Sequence, residues 1–215
     1  MALLGYTAHL YILSVKTRQI VHTYKAPIKI VADFCWNSQG TRLYMAGTNG
    51  DIFIWDHETR QCLKRFKDDG CLRLCSIAVS PNGKYLVTGQ DNGIVNVYDL
   101  VAIEANPASN LKTVTPLKTF FNLVTAISNL VFNHDSQILL MASHSKSNAL
   151  RLIHMDSLTV FANWPPIKDK YNLGRVTKAC FSPDSHYLAI GNTKGKVRLN
   201  RMHFYHPEKK FAKDD

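Results

Sequence analysis

The sequence has none of the short motifs that mark common catalytic centres. No GxxxxGK[ST] phosphate loop, GxGxxG turn, GxSxG elbow or HExxH helix occurs in its 215 residues, so these nucleotide-binding, hydrolase and metalloprotease mechanisms have no recognisable site. His203 and His206 are three residues apart, but on a strand this spacing turns them to opposite faces, and no carboxylate completes a ligand set. The sequence predicts a protein that is not an enzyme, with no metal site, no cofactor and no small-molecule substrate.

Cysteines are few and show no pairing. The five cysteines are odd in number and include no CxxC pair, which argues against a disulfide framework and fits a reducing compartment. Cys71 and Cys75 are four residues apart, but no second Cys or His pair follows at a zinc-finger distance. We therefore expect unpaired thiols that act as small buried apolar side chains.

Long apolar segments are also absent. The opening residues MALLGYTAHLYILSV are interrupted by Thr7, His9 and Ser14, and they lack the basic start of a signal peptide. No run approaches the roughly 18 apolar residues that a membrane-spanning helix needs. The sequence predicts a soluble intracellular protein that is not in a membrane.

Acidic residues are outnumbered by basic ones. Lys and Arg total 26 against 16 Asp and Glu, a formal net charge of +10, which favours attraction to polyanions such as RNA or to an acidic partner. Many basic proteins bind no nucleic acid, so the charge alone leaves both settings open. Hydrophobic residues make up 46% of the chain, which is ordinary for a packed globular protein.

What the sequence does contain is an internal repeat. AGTNGDIFIWD (46–56), TGQDNGIVNVYD (88–99) and IGNTKGKVRLNR (190–201) each lead from a small residue through a polar turn into an alternating strand. The equivalent position is filled in five copies, by Leu13, Trp55, Tyr98, Ile153 and Asn200. The spacings between these copies are 42, 43, 55 and 47 residues.

A second landmark precedes each of the last four copies. It consists of an apolar strand end, a polar four-residue turn and another apolar strand, and its equivalent residues are Trp36, Val79, Phe132 and Phe181. The turns SPNG and SPDS have proline at the second position, where its fixed φ suits a type I turn. Two landmarks with one period indicate units of four short strands.

Such units predict an all-β fold, a β-propeller of the WD40 type. Five blades are recognisable, at about 1–26, 27–69, 70–121, 122–168 and 169–206, followed by a charged C-terminal tail at 207–215. Closed propellers of this type commonly have about seven blades, so we expect an incomplete ring and a fragment of a longer protein.

Two local features depart from the usual repeat. No Gly-His dipeptide occurs, so we expect the polar network that many such repeats build on this histidine to be absent or replaced. The longest spacing is due mainly to residues 99–116, which we expect to form an extended loop between the third and fourth strands of their blade.

Two sets of residues are candidates for function. The repeat signature is Trp55-Asp56, with Tyr98-Asp99 as a near match. Candidate contacts to RNA phosphates are the basic residues of a predicted outer strand, of blade edges and of the tail: Lys64, Arg65, Lys67, Lys168, Lys170, Lys209 and Lys210. The alternative is that these cations protect strand edges and contact only water. Aromatic residues are not interleaved with them in any RNA-binding motif, so specific base recognition is not expected.

Several stretches resemble one particular WD-repeat family. GDIFIWDHETRQCLKRFKDDG (50–70), NLVTAISNLVFNHDSQILLMAS (122–143), ALRLIHMDSLTVFANWP (149–165) and FSPDSHYLAIGNTKGK (181–196) are similar to U3 small nucleolar RNA-associated protein 18. The resemblance extends through essentially all 215 residues and corresponds to the C-terminal part of that family's proteins. The family's N-terminal extension, which recruits the exosome-associated helicase, has no counterpart in these residues.

The resemblance implies a non-catalytic scaffold in the nucleus and nucleolus. Members of the family join other WD-repeat proteins in the UTP-B subcomplex of the small-subunit processome, associate with the U3 ribonucleoprotein and are required for pre-18S rRNA processing. Direct contact with U3 or precursor RNA is left open. The alternative function is a substrate receptor of a cullin-type ubiquitin ligase or another generic scaffold. Such receptors often have Trp-Asp-x-Arg, whereas Arg60 lies four residues after Asp56.

Overall fold

The computed structural model describes residues 2–4, 9–25, 27–108, 110–111, 114–165 and 172–205. These residues form five antiparallel sheets of three or four strands each. Each sheet uses consecutive strands in chain order, which is the arrangement of propeller blades. The all-β, WD40-type fold predicted from the repeat is confirmed.

The sheets are numbered along the chain. Sheet 1 contains β1 (Ala2–Leu4), β2 (His9–Leu13) and β3 (Ile20–Lys25). Sheet 2 contains β4 (Val31–Trp36), β5 (Arg42–Gly47), β6 (Asp51–Asp56) and β7 (Cys62–Lys67). Sheet 3 contains β8 (Leu74–Val79), β9 (Tyr85–Gln90), β10 (Val95–Asp99) and β11 (Lys118–Phe120). Sheet 4 contains β12 (Asn129–Phe132), β13 (Ile138–Ala142), β14 (Leu150–His154) and β15 (Thr159–Val160). Sheet 5 contains β16 (Val176–Phe181), β17 (Tyr187–Asn192) and β18 (Val197–Arg201), and a 3-10 helix follows at His203–Tyr205.

The hydrophobic core lies in the gaps between consecutive sheets. Successive side chains of a strand point to opposite faces, so the apolar strands of one sheet contribute to the core on both sides. Between sheets 2 and 3, one cluster contains Ile54, Phe66, Leu86 and Tyr98, each at most 1% exposed. Burying one such large apolar side chain contributes about 1.5–3 kcal/mol, so neighbouring sheets stabilise one another.

Polar turns connect sheets 2 to 5 at one end, which we call the lower end because the first and second strands of each of these sheets meet there. Three turns each form a hydrogen bond with the turn of the following sheet: Ser38 with Pro81 (2.8 Å), Asn82 with Ser136 (3.0 Å) and His134 with Ser185 (3.1 Å). The same geometry therefore recurs at the landmark turns found in the sequence. The opposite end, where second and third strands meet, is the upper end.

The ring of described sheets is open. The outer face of sheet 5 exposes Val197 (74%) and Leu199 (64%), and no core cluster of the described residues joins sheet 5 to sheet 1. The prediction of an incomplete propeller with about five blades is therefore confirmed.

The connection between β10 and β11 differs from the extended loop that we predicted. It begins with a short helix, α1 (Leu100–Ala105), whose first turn is capped by Asp99, since this carboxylate accepts a hydrogen bond from the Ala102 N–H at 3.1 Å. Leu100 and Ile103 are buried in the core between sheets 2 and 3. The position of this connection between the third and fourth strands is as predicted. The helix was not predicted, because two apolar residues spaced three apart are too few to reveal a helical period.

Candidate functional site

The basic outer strand β7 does not present all its cations to solvent. Lys64 is only 8% exposed, and its Nζ donates hydrogen bonds to the carbonyl oxygens of Asn106 and of Ala108, the latter at 3.0 Å. Strand alternation places Lys64 on the same face as Cys62 and the buried Phe66. The expectation that Lys64 is available to RNA phosphates is therefore wrong: its ammonium group holds the β10–β11 connection against sheet 2.

Arg65 is also engaged within the protein. Its Nη2 lies 3.2 Å from Oδ2 of Asp51, and its guanidinium group lies 5.4 Å from the ring centroid of Phe53. The Leu111 N–H donates to the Arg65 carbonyl at 2.9 Å, so the β10–β11 connection runs along the outer edge of β7. That edge is thereby covered, which removes a site for unwanted strand pairing.

The other five candidate cations include one exposed residue and four whose positions are not described. Lys67 is exposed and makes no ion pair with a described residue, so its contact with RNA remains a prediction. The other four, Lys168, Lys170, Lys209 and Lys210, lie outside the described residues. Of the three cations that the structure describes, Lys64 and Arg65 are therefore engaged within the protein, and Lys67 alone is exposed without an ion pair to a described residue.

The two aspartates of the repeat signature have the same local role. Asp56 and Asp99 each end the third strand of a sheet, and each accepts a hydrogen bond from the backbone N–H three residues later, at 2.8 Å from Thr59 and 3.1 Å from Ala102. The bonds from the backbone and side chain of Thr59 lower the pKa of Asp56. Both aspartates therefore close the connection to the fourth strand.

The aromatic members of the signature differ. The Trp55 ring contacts Tyr24 edge-on, with centroids 5.6 Å apart, and the buried Trp55 Nε1 has no hydrogen-bond partner among the described residues. Tyr98 instead places its hydroxyl group 2.7 Å from Oδ1 of Asp68. The weaker match to the signature therefore carries the stronger polar interaction.

Asp68 is the centre of a buried polar network between sheets 2 and 3. It follows β7 directly and is 2% exposed. Four side chains of sheet 3 donate hydrogen bonds to its carboxylate: Thr88 (2.6 Å), Gln90 (2.8 Å), Asn96 (3.2 Å) and Tyr98 (2.7 Å). The network thus fastens the end of one blade to the next, and an aspartate stands in a role for which many WD repeats use histidine.

The network extends to the backbone of the neighbouring residue. The Asp69 N–H donates to the Tyr98 hydroxyl oxygen at 2.8 Å, and the Asp69 carbonyl accepts from Asn96 Nδ2 at 2.9 Å. Thr119 Oγ1 in turn donates to Asn96 Oδ1 at 2.8 Å. The hydrogen bonds therefore connect the second, third and fourth strands of sheet 3 to the segment that follows sheet 2.

This environment opposes ionisation of the groups that surround the carboxylate. Burial, followed by the negative charge of Asp68, raises the pKa of the Tyr98 hydroxyl. The same two causes raise the pKa of the Cys71 thiol to about 12. Among the residues that the structure describes, no three His, Cys, Asp or Glu side chains gather as a metal site requires. The network holds sheets 2 and 3 together, and Tyr98 and Cys71 stay uncharged.

Sequence comparison assigns the repeat and the family. The family model for the WD domain, G-beta repeat, matches residues 18–56 and 60–99. U3 small nucleolar RNA-associated protein 18 homolog of Homo sapiens is 38% identical over 203 residues, which cover 94% of this chain. The homolog of Drosophila melanogaster is 38% identical over 91% of the chain, and the Saccharomyces cerevisiae protein is 34% identical over 82%. The chain belongs to the U3 small nucleolar RNA-associated protein 18 family. The resemblance noted in the sequence is confirmed.

This member of the U3 small nucleolar RNA-associated protein 18 family spans about a third of the length of these relatives, with 35%, 37% and 32% of the three proteins covered. No helix of its described residues is long and apolar enough to cross a membrane.

The stretch that most specifically suggested the U3 small nucleolar RNA-associated protein 18 family, residues 149–165, has a defined place in the fold. It forms β14 and β15 and then crosses towards sheet 5. The Phe161 N–H donates to the Leu152 carbonyl at 2.9 Å, and Phe161 and Trp164 pack against the core between sheets 4 and 5. These residues therefore serve the packing of two blades.

Proposed function

We propose that this chain is part of a non-catalytic WD-repeat scaffold of the U3 ribonucleoprotein and the small-subunit processome. The observation that carries the proposal is the 38% identity over 94% of the chain to a protein named for its association with U3 small nucleolar RNA. Because the similarity covers 94% of the chain, it is not confined to one short motif.

A scaffolding role also agrees with how the chain uses its polar residues. Among the described residues, Asp68 has the most buried carboxylate, and donors from sheet 3 occupy it. Catalytic acids and bases need an accessible position near a substrate, and this group has none. The turn contacts that recur between successive sheets and the buried polar network favour a rigid propeller. Rigid scaffolds commonly place their binding residues on loops.

The finer role follows from the family. We propose that the protein acts in the nucleus and nucleolus, that it contacts other WD-repeat proteins of the UTP-B subcomplex, and that it is required for pre-18S rRNA processing and small ribosomal subunit biogenesis. The rigid loops of a propeller suit contacts with several proteins at once.

Affinity purification of the full-length protein, with and without ribonuclease, tests the proposal. We expect recovery of U3 RNA and of processome WD-repeat proteins, and we expect the protein partners to remain, at least in part, after ribonuclease treatment. Depletion of the protein should cause unprocessed 18S precursors to accumulate. Recovery of a cullin adaptor in place of U3 RNA would show that the ubiquitin-ligase alternative is correct.

A further inference from the structure

Three loops meet at the upper end of sheets 4 and 5. They are residues 143–149 between β13 and β14, residues 172–175 before β16, and residues 193–196 between β17 and β18. The Asn148 N–H donates to the Gly174 carbonyl at 2.8 Å, and the Thr193 N–H donates to the Arg175 carbonyl at 3.0 Å. These bonds hold the three loops together as one surface.

The described parts of these loops carry charge of one sign. Lys146, Arg175, Lys194 and Lys196 are all exposed, and none makes an ion pair with a described residue. The described residues 143–149, 172–175 and 193–196 contain no Asp or Glu. Four unneutralised cations on tied loops repel one another and create a local positive potential, which an anionic partner would relieve.

The upper end of sheets 2 and 3 is different. There, the exposed Asp69 and Asp91 accompany the exposed Arg73, and the Asp91 N–H donates to the Arg73 carbonyl at 3.0 Å. Opposite charges thus lie close together at that position. The uniform charge at sheets 4 and 5 is therefore a local feature and does not follow merely from the net charge of the chain.

The surface lacks what a protein partner would normally need. Interfaces between proteins are centred on buried aromatic or aliphatic anchors, but none of the exposed large apolar side chains lies in these three loops. The neighbouring Val197 belongs to the open face of sheet 5 and not to the loops. Lysine and arginine without aromatic platforms suit the phosphate backbone of a nucleic acid, which requires cations and no apolar centre.

We infer that Lys146, Arg175, Lys194 and Lys196 form a surface that binds the phosphate backbone of RNA without reading its sequence. The inference rests on the proposed function, which assigns the chain to an RNA-containing particle. It names a surface distinct from the basic strand β7, where Lys64 and Arg65 are engaged internally.

The salt dependence of RNA binding tests this surface directly. For four phosphate contacts to a single strand, a fourfold rise in salt should weaken binding about 50-fold, and for one remaining contact about 3-fold. The variant is the triple substitution Lys146→Gln, Lys194→Gln and Lys196→Gln in the 215-residue chain. The probe is a short oligouridylate.

A matched control separates local contacts from net charge. Lys16, Lys25 and Lys118 are exposed lysines away from the three loops, so their replacement by glutamine removes the same charge. We expect the logarithmic salt slope to fall by about 2 in the loop variant and to remain close to the original in the control. Equal slopes for the two triple variants, both with unchanged melting temperatures, would overturn the inference, as would equal competition by polyglutamate and RNA at equal anionic charge.

Experiments in cells distinguish failure of the surface from failure of the proposed function. The same substitutions are placed in the full-length protein, and U3 RNA recovery and ultraviolet crosslinking to RNA are measured. Loss of crosslinking in the loop variant, relative to the control variant, supports the inference. Unchanged crosslinking in a protein that still recovers U3 RNA overturns the surface alone, whereas the absence of U3 RNA from the unaltered protein overturns the proposed function.

Discussion

Replacing Asp68 with alanine should destabilise the contact between sheets 2 and 3 by about 3–5 kcal/mol. The carboxylate is 2% exposed and accepts hydrogen bonds from four side chains of sheet 3. A hydrogen bond to a charged group contributes about 1.5–3 kcal/mol, and the values do not add fully, since the donors that remain can reorient. Asp68→Asn, which retains one acceptor oxygen, should cost about 2–3 kcal/mol.

Two measurements check this expectation. Urea denaturation gives the change in the free energy of unfolding, and amide hydrogen exchange at Asp69 reports the local contact because that N–H donates to Tyr98. The exchange of the Asp69 amide should accelerate in the Asp68→Ala variant. In a double-mutant cycle with Tyr98→Phe, we expect a coupling energy of about 1–2 kcal/mol.

Asp69 supplies the matched control, because its exposed carboxylate makes no hydrogen bond within the described residues. Asp69→Ala removes the same charge but should change the stability by less than about 0.5 kcal/mol. If Asp68→Ala fell within about 1 kcal/mol of this control, the network would not be holding the sheets together and the reasoning would be refuted.

Three further outcomes are expected. Gly93 has a φ of 89°, and an added Cβ would lie 2.4 Å from the Leu123 carbonyl oxygen. Gly93→Ala should therefore lower the free energy of unfolding by about 2 kcal/mol more than the control Gly83→Ala, where φ is also positive but the space is open. Equal losses of stability in the two variants would show that the clash with Leu123 has no effect. Lys64→Met should make the β10–β11 connection several-fold more sensitive to proteolysis, since two carbonyl oxygens lose their hydrogen-bond donor. Lys67→Met is the control at an exposed site, and equal sensitivity in the two variants would show that Lys64 does not hold this connection in place. The rate of Cys71 alkylation, mapped by mass spectrometry, should rise about tenfold per pH unit up to the thiol's pKa of about 12, because the reactive thiolate is scarce below that value. A rate that levels off near pH 9.0, the ordinary thiol pKa, would contradict the raised pKa of Cys71.

The repeat pattern predicted most of the architecture because strand alternation and turn chemistry are local. The repeat placed Trp55 and Asp56 at the end of an alternating strand, and they are the last residues of β6. The helix α1 was missed because six residues with two apolar positions show less than two turns of helical period. Its capping residue, Asp99, was visible in the sequence but had been assigned to the repeat signature alone.

The polar network was harder to foresee, since its partners come from different blades. Asp68 lies in a DDG sequence that reads as an ordinary turn. A signal existed in sheet 3, where polar residues alternate with apolar ones on adjacent strands, as Thr88 and Gln90 on β9 and Asn96 and Tyr98 on β10. The same rule of alternation would have placed Lys64 beside Phe66. Alternation in the sequence can show that one side of a sheet is polar. Which residue of the neighbouring segment contacts that side depends on how the sheets pack.

The position of Asp68 also has a consequence for how the protein is made. The carboxylate precedes its four donors by 20, 22, 28 and 30 residues, and chains emerge from the ribosome with the N-terminal part first. During synthesis, sheet 2 is therefore complete while this end still carries a hydrated negative charge that opposes burial. Only when β9 and β10 have emerged can water be exchanged for the four donors. The hydrogen bonds that fasten sheet 2 to sheet 3 can therefore form only after more of the chain has been synthesised than sheet 2 itself requires.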